Sequence, residues 1–208
     1  MGSIRLTEWP HLYREGSPGA PVLLMLHGTG SDEHDIAALA PELHPEAAVL
    51  APRGRTQEHG ARRWFARRAE GVFDVDDVIA RAGELADFIT EAREQYGLEG
   101  RQLVAVGFSN GANIALATGM LHPDAVDRVI AFSGMYPFGD RTLDLALANS
   151  RFLTLNGKSD PMAPLASATH LVSELRRGGA DVVQVLREGG HGIDRSDLAA
   201  AVDWLRSL

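Results

Sequence analysis

The chain has 208 residues, 45% of them hydrophobic and 23% charged, with no cysteine and a net charge of −8. That length and apolar content suit one folded domain over residues 1–208, and they exclude a disordered or fibrous chain. The lack of cysteine excludes disulfides and suits a cytoplasmic setting, the acidic balance argues against nucleic acid as a partner, and no apolar run approaches the ~20 residues of a membrane span.

Residues 4–14 read as one or two short edge strands. The run Pro21-Val-Leu-Leu-Met-Leu-His27 is the first strong strand, and it enters a glycine-rich loop, His27-Gly-Thr29-Gly-Ser-Asp32. A helical pattern over 33–43 and a strand near 47–51 follow. The segment 53–73 has no clear period and reads as a loop. It carries Arg53, Arg55, Arg62, Arg63, Arg67 and Arg68, which either pair with Glu58 and Glu70 at a solvated face or meet an anionic group of a substrate. The pattern 74–96 is a helix with one apolar stripe, Val75, Val78, Ile79, Ala82, Leu85, Ala86 and Ile89. Its acidic start, Asp74, Asp76 and Asp77, suits a helix N-terminus better than a metal site. Strands near 102–107, 127–132, 151–156 and 182–187 then alternate with helices near 110–121, 163–177 and 195–207. The alternation predicts a mostly parallel α/β sheet flanked by helices on both faces, with reactive residues at the C-terminal ends of its strands.

Residues 103–111 place Gly107-Phe-Ser109-Asn-Gly111 between a strand and a small-residue helix. This is the nucleophile-elbow pattern, in which a sharp turn lifts a serine out of the fold and requires small neighbours. A serine nucleophile needs a base, and the base needs an orienting acid. Downstream of Ser109, Asp160 sits in a loop just past the strand 151–156, with Asp140 and Asp144 as rivals in a less ordered stretch. Of the histidines after Asp160, His170 falls within a helical pattern, whereas His191 follows the last strand between flanking glycines. The order serine, aspartate, histidine therefore selects Ser109, Asp160 and His191. The backbone N–H groups of Thr29 and Asn110 are the expected oxyanion donors, and His27 reads as a structural residue of its loop. Only some 50 residues separate Ser109 from Asp160, which leaves no room for a cap domain. Trp64, Phe65, Phe73, Met135 and Met162 follow strand ends or flank Asp160 and form the expected apolar acyl or aryl pocket, with Tyr136 and Phe138 beside them.

His27-Gly-Thr-Gly, Gly107-Phe-Ser-Asn-Gly, Asn156-Gly-Lys-Ser-Asp160-Pro and Gly190-His191-Gly occur in this order across about four-fifths of the chain. Together they resemble the α/β-hydrolase superfamily, and within it the phospholipase/carboxylesterase branch. Arg63-Trp-Phe-Ala-Arg67 and Glu70-Gly-Val-Phe-Asp-Val-Asp76-Asp77 resemble the bacterial carboxylesterases of that branch. The resemblance implies an α/β-hydrolase fold without a large lid, Thr29 as the second oxyanion donor, no cofactor or metal, and a homodimer. Dienelactone hydrolases share the fold but use cysteine, which this chain lacks. Acyl-protein thioesterases usually carry Gln and Leu where Asn110 and Thr29 stand here. The expected function is thus a serine carboxylesterase acting on small to medium acyl, or aryl, esters. A thioesterase or lysophospholipase on the same triad and a catalytically silent ligand-binding member are the alternatives.

Overall fold

The computed structural model describes residues 6–69 and 71–208. Seven strands form one sheet: β1 (His11–Arg14), β2 (Val22–Leu26), β3 (Ala48–Pro52), β8 (Leu103–Phe108), β9 (Arg128–Phe132), β10 (Arg151–Gly157) and β11 (Asp181–Arg187). Their spatial order is β1-β3-β2-β8-β9-β10-β11, with β1 antiparallel to β3 and every other pairing parallel. The chain winds from β2 out to β3 and then crosses back to lay β8 on the other side of β2. Between β2 and β8 the winding reverses, and the loops leaving the C-terminal ends of two such strands diverge and open a crevice.

Both faces of the sheet are covered, so its central strands are apolar throughout rather than alternating with polar residues. Val22, Leu24 and Leu26 of β2 face a cluster with Leu85, Phe88 and Ile89 of α3 (Val75–Gln95), with α4 (Asn110–Leu121), and with Leu171 and Leu175 of α5 (Leu165–Arg177). Leu23 and Met25 face the other way, against α1 (Glu33–Ala37), α2 (Ala40–Leu43) and Trp204 of α6 (Arg195–Arg206). Asp74 caps α3 by accepting from Asp77 N–H, and Asp76 and Asp77 pair with Arg141 and Arg81. The acidic start is therefore used for capping and ion pairing. Among the described residues no cluster of three or more acidic or histidine side chains is arranged to hold a metal ion.

Two expectations are corrected. The helix over 33–43 is two short helices, because Pro41 inside a continuous helix would lose a hydrogen bond and collide with the preceding turn. The chain breaks at Ala38–Leu39 and restarts with Pro41 in the first turn of α2, where proline is tolerated. The 53–73 segment holds two small hairpins, β4 (Thr56–Glu58) with β5 (Ala61–Arg63) and β6 (Arg67–Ala69) with β7 (Val72–Phe73). His59 and Gly60 both take positive φ, 51° and 82°, as a tight hairpin turn requires. At the N-terminus only β1 is a strand: Leu6–Glu8 form a 3-10 turn, and residues 4 and 5 lie outside the described residues. Among the described residues no helix is long and apolar enough to cross a membrane.

Candidate active site

The turn from β8 into α4 holds Ser109 at φ 54° and ψ −116°, a conformation that L residues avoid. The strain persists because its surroundings leave no alternative. A Cβ on Gly107 would sit 2.3 Å from Gly111 O, and one on Gly111 would sit 2.0 Å from Leu26 O. The elbow thus presses against the end of β2, and both glycines are sterically required. Ser109 N–H donates to Phe132 O at 2.9 Å, which ties the turn to β9. The Ser109 hydroxyl makes no helix-capping bond, so it is not drawn back into the backbone.

Asp160 lies in the turn after β10 and is buried. Its Oδ1 accepts from Met162 N–H (2.8 Å) and Ala163 N–H (3.0 Å), and its Oδ2 accepts from His191 Nδ1 at 2.8 Å. Two backbone donors hold the carboxylate while its second oxygen fixes the imidazole tautomer. With Nδ1 as the donor, Nε2 carries the free lone pair that a base needs. The His191 ring also packs on Phe108, with centroids 5.1 Å apart. The rivals are elsewhere: His170 packs edge-on against Tyr136, and Asp140 and Asp144 are exposed on the long connection after β9.

The loop carrying His191 is held from several sides. Gly157 lets it lie flat on the end of β10, since a Cβ there would meet Gly190 O at 2.4 Å. Arg187, the last residue of β11, donates through Nη2 to Gly190 O (3.0 Å) and Gly192 O (2.7 Å) and through Nε to Asp197 of α6 (2.6 Å). Ser133, itself at φ 52°, donates from Oγ to Gly192 O and accepts from Gly192 N–H. The residues that flank His191 are therefore pinned, as a base on a glycine-rich loop requires if it is to keep its aim.

Thr29 and Asn110 lie on either side of the crevice between β2 and β8. Thr29 is positioned by its neighbours: its Oγ1 accepts from Arg63 Nη1 at 2.8 Å, and Gly30 N–H donates to Arg62 O at 2.9 Å. His27 is structural, as the sequence suggests. Its Nδ1 donates to Gly28 O, its Nε2 accepts from Gly54 N–H, and its backbone carbonyl takes the Trp64 indole N–H. Burial pushes its pKa down, which keeps the ring in the neutral form that this pattern needs.

Ser109, His191, Thr29 and Asn110 line one cavity, together with Phe73 and Met162 from the expected pocket. Trp64, Phe65 and Met135 do not line it. Trp64 and Phe65 are buried in the core, and Met135 is buried with its N–H bonded to Asn113 Oδ1. Tyr136 and Phe138 are core residues as well. In their place the walls hold Arg63, Arg67, Asn113 and Ser133, so the cavity is far more polar than the sequence suggests. It is a small, partly open cleft of about 30 Å³, room for roughly two waters. A larger concavity of about 910 Å³ opens at the opposite ends of the strands, lined by Gln102, Leu103, Arg128 and Ser150. It includes no histidine and lies away from the switch point, so size alone misdirects here.

The arginine-rich segment is laced with ion pairs: Arg53 with Glu33, Arg55 with Glu84, Arg62 with Asp32, Arg63 and Arg67 with Glu58, and Arg68 with Asp74. Glu70, the other expected partner, lies outside the described residues. Arg63 and Arg67 also line the cavity.

The phospholipase/carboxylesterase family model matches residues 9–208. The chain is 36% identical to MhqD of Bacillus subtilis, which carries a hydrolase name, over 94% of this chain and 97% of that one. It is 28% identical to the esterase YpfH of Escherichia coli over 91% of this chain and 83% of that one. The crystal structure of a Bacillus cereus carboxylesterase superposes with a TM-score of 0.91 at 35% identity, covering 96% of this chain and 94% of that one.

Proposed function

The chain belongs to the phospholipase/carboxylesterase family of α/β-hydrolases and is a carboxylic ester hydrolase, and from that premise we propose that it works through a Ser109–His191–Asp160 triad on small to medium acyl esters. The observation that carries this reading is the 2.8 Å bond from His191 Nδ1 to a buried Asp160, on a ring that shares one cavity with the strained Ser109.

In this mechanism Ser109 Oγ attacks the ester carbonyl as His191 Nε2 takes its proton. Asp160 holds the tautomer and stabilises the imidazolium that forms. The oxyanion is bound by the N–H groups of Thr29 and Asn110, helped by the positive end of α4. His191 then returns the proton to the leaving alcohol, which departs and leaves an acyl group on Ser109. Water enters, gives its proton to His191 and attacks the acyl carbon; collapse releases the acid and restores Ser109. None of these steps calls on a metal or cofactor. The narrowness of the cleft supports a preference for short acyl chains, and the cysteine-free composition supports a cytoplasmic setting.

A p-nitrophenyl ester series from acetate to dodecanoate, with wild type and Ser109→Ala, tests the reading. Short chains should be favoured, and the variant should lose on the order of 10⁶ in kcat, as a triad serine does in subtilisin. A long-chain optimum would move the substrate to lipids or fatty thioesters, and turnover that survives Ser109→Ala would remove the triad.

A further inference from the structure

The mechanism above uses only the backbone of Asn110, yet its side chain is the more unusual group. It is buried, and its Oδ1 accepts from Trp64 N–H at 2.7 Å. A backbone N–H can only donate, so this contact fixes which end of the carboxamide carries the oxygen. The NH₂ end remains, and Nδ2 is a buried donor with no partner. Such a group is costly to the fold and is rarely left without an acceptor. Asn110 lines the cavity that holds Ser109 and His191.

Asn113 repeats the arrangement one helical turn later. It too is buried and lines the same cavity, and its Oδ1 accepts from Met135 N–H at 2.8 Å. Residues three apart share a helix face. The rest of α4 is glycine, alanine, aliphatic residues, methionine and Thr118, so two carboxamides on its cavity side are out of keeping with its packing role. Each has its oxygen tied by the backbone, and the Asn110 amide is left as a buried donor with no partner. Both amides are donors that suit an oxygen of the substrate, charged or not.

We propose that Asn110 and Asn113 select the acyl group of the substrate by donating hydrogen bonds to an oxygen one or two atoms beyond the scissile carbonyl. The preferred substrates would then be small esters of alkoxy-, hydroxy- or oxo-substituted acids, not simple alkanoates. The acyl group stays on Ser109 through both halves of the reaction, so a donor on the next residue serves that half of the substrate. This inference rests on the ester-hydrolase reading.

The test compares pairs that differ by one CH₂→O exchange: p-nitrophenyl butyrate with methoxyacetate, and pentanoate with 3-methoxypropionate. Each kcat/KM is divided by the ester's own hydroxide-catalysed rate, which removes the electronic effect of the oxygen. Wild type should favour one ether ester by about tenfold, the scale of one hydrogen bond. Asn110→Asp keeps an acceptor for Trp64 N–H but has no amide donor, and Asn110→Ala removes the group altogether. In both the preference should fall below about threefold. Should neither variant fold, Asn113→Asp must lower the preference instead. Equal handling of both pairs by wild type overturns the proposal. So does a preference that survives these substitutions, including one that survives a uniform fall in kcat, which would make the Asn110 amide an extra oxyanion donor. Failure to hydrolyse any of the four esters would bring down the ester-hydrolase reading and this inference with it.

Discussion

Replacing Arg187 by methionine should uncouple the base from the nucleophile without touching either. Its guanidinium reaches the carbonyls on both sides of His191 and the buried Asp197. Its side chain is 12% exposed and that of Asp197 is 1% exposed, so solvent screens the pair little. Removing one partner of a buried pair costs about 3–5 kcal/mol. Asp197 keeps one bond, from Asp194 N–H at 3.1 Å, so the lower end applies. At roughly 2–4 °C per kcal/mol for a chain of this size, Tm should fall by about 6–12 °C. The loop would also lose both carbonyl anchors, and a displacement of about 1 Å at a catalytic group costs on the order of 10² in rate. Adding Asp197→Leu removes the orphaned charge, so the double variant should regain much of the Tm but little of the kcat. Thermal unfolding and kcat on a short-chain p-nitrophenyl ester measure the two effects separately. An Arg187→Met variant with Tm within 2 °C and kcat within twofold of wild type would refute the role assigned to this side chain.

Gly111→Ala should abolish soluble expression or cost about 3 kcal/mol or more, because its Cβ would meet backbone at 2.0 Å; recovery of a folded protein with wild-type Tm would show that the elbow has slack. Asp160→Asn should leave the turn folded yet lower kcat by about 10⁴, the loss seen when the wrong histidine tautomer is imposed in a serine protease; a kcat within tenfold of wild type would reassign the orienting acid. Arg53 holds the Glu33 carboxyl at about 2, against an ordinary 4.5. A depressed carboxylate pKa stabilises the fold above the unfolded value and ceases to do so as pH falls through the folded one. Urea midpoints should therefore decline between about pH 4.5 and 2 by the equivalent of roughly 3 kcal/mol at most, and Arg53→Leu should flatten that decline; an unchanged slope in the variant would place the acid sensitivity elsewhere.

The sheet, and the gathering of Ser109, Asp160 and His191 at one end of it, are legible because both rest on local patterns. A β-branched run, then Gly-x-Ser-x-Gly, then a small-residue helix has one steric solution, and chain order did the rest for Asp160 and His191. The pocket was not legible. Trp64, Phe65 and Met135 follow strand ends as Phe73 does, but which way each side chain turns is decided by packing against α3, α4 and the His27 loop. The hairpins in 56–73 are not legible because strands of two or three residues, rich in arginine, show no alternation. The partners of Arg53 and Arg55 lie 20 and 29 residues away and were invisible for that reason. Asn113 could have been found: a carboxamide three residues after Asn110, in a helix otherwise apolar, is a signal that helical spacing makes readable. Ser133 offered none, since its role comes from a backbone turn that only the β9–β10 register creates.

The most direct test of the triad is covalent trapping. Treatment with a fluorophosphonate, followed by peptide mass spectrometry, should show one adduct, on Ser109, formed in step with the loss of esterase activity. His191→Ala should slow its formation by orders of magnitude while leaving the fold intact, since the base activates the serine. Inactivation with the label on another residue, or full activity with Ser109 labelled, would contradict the account.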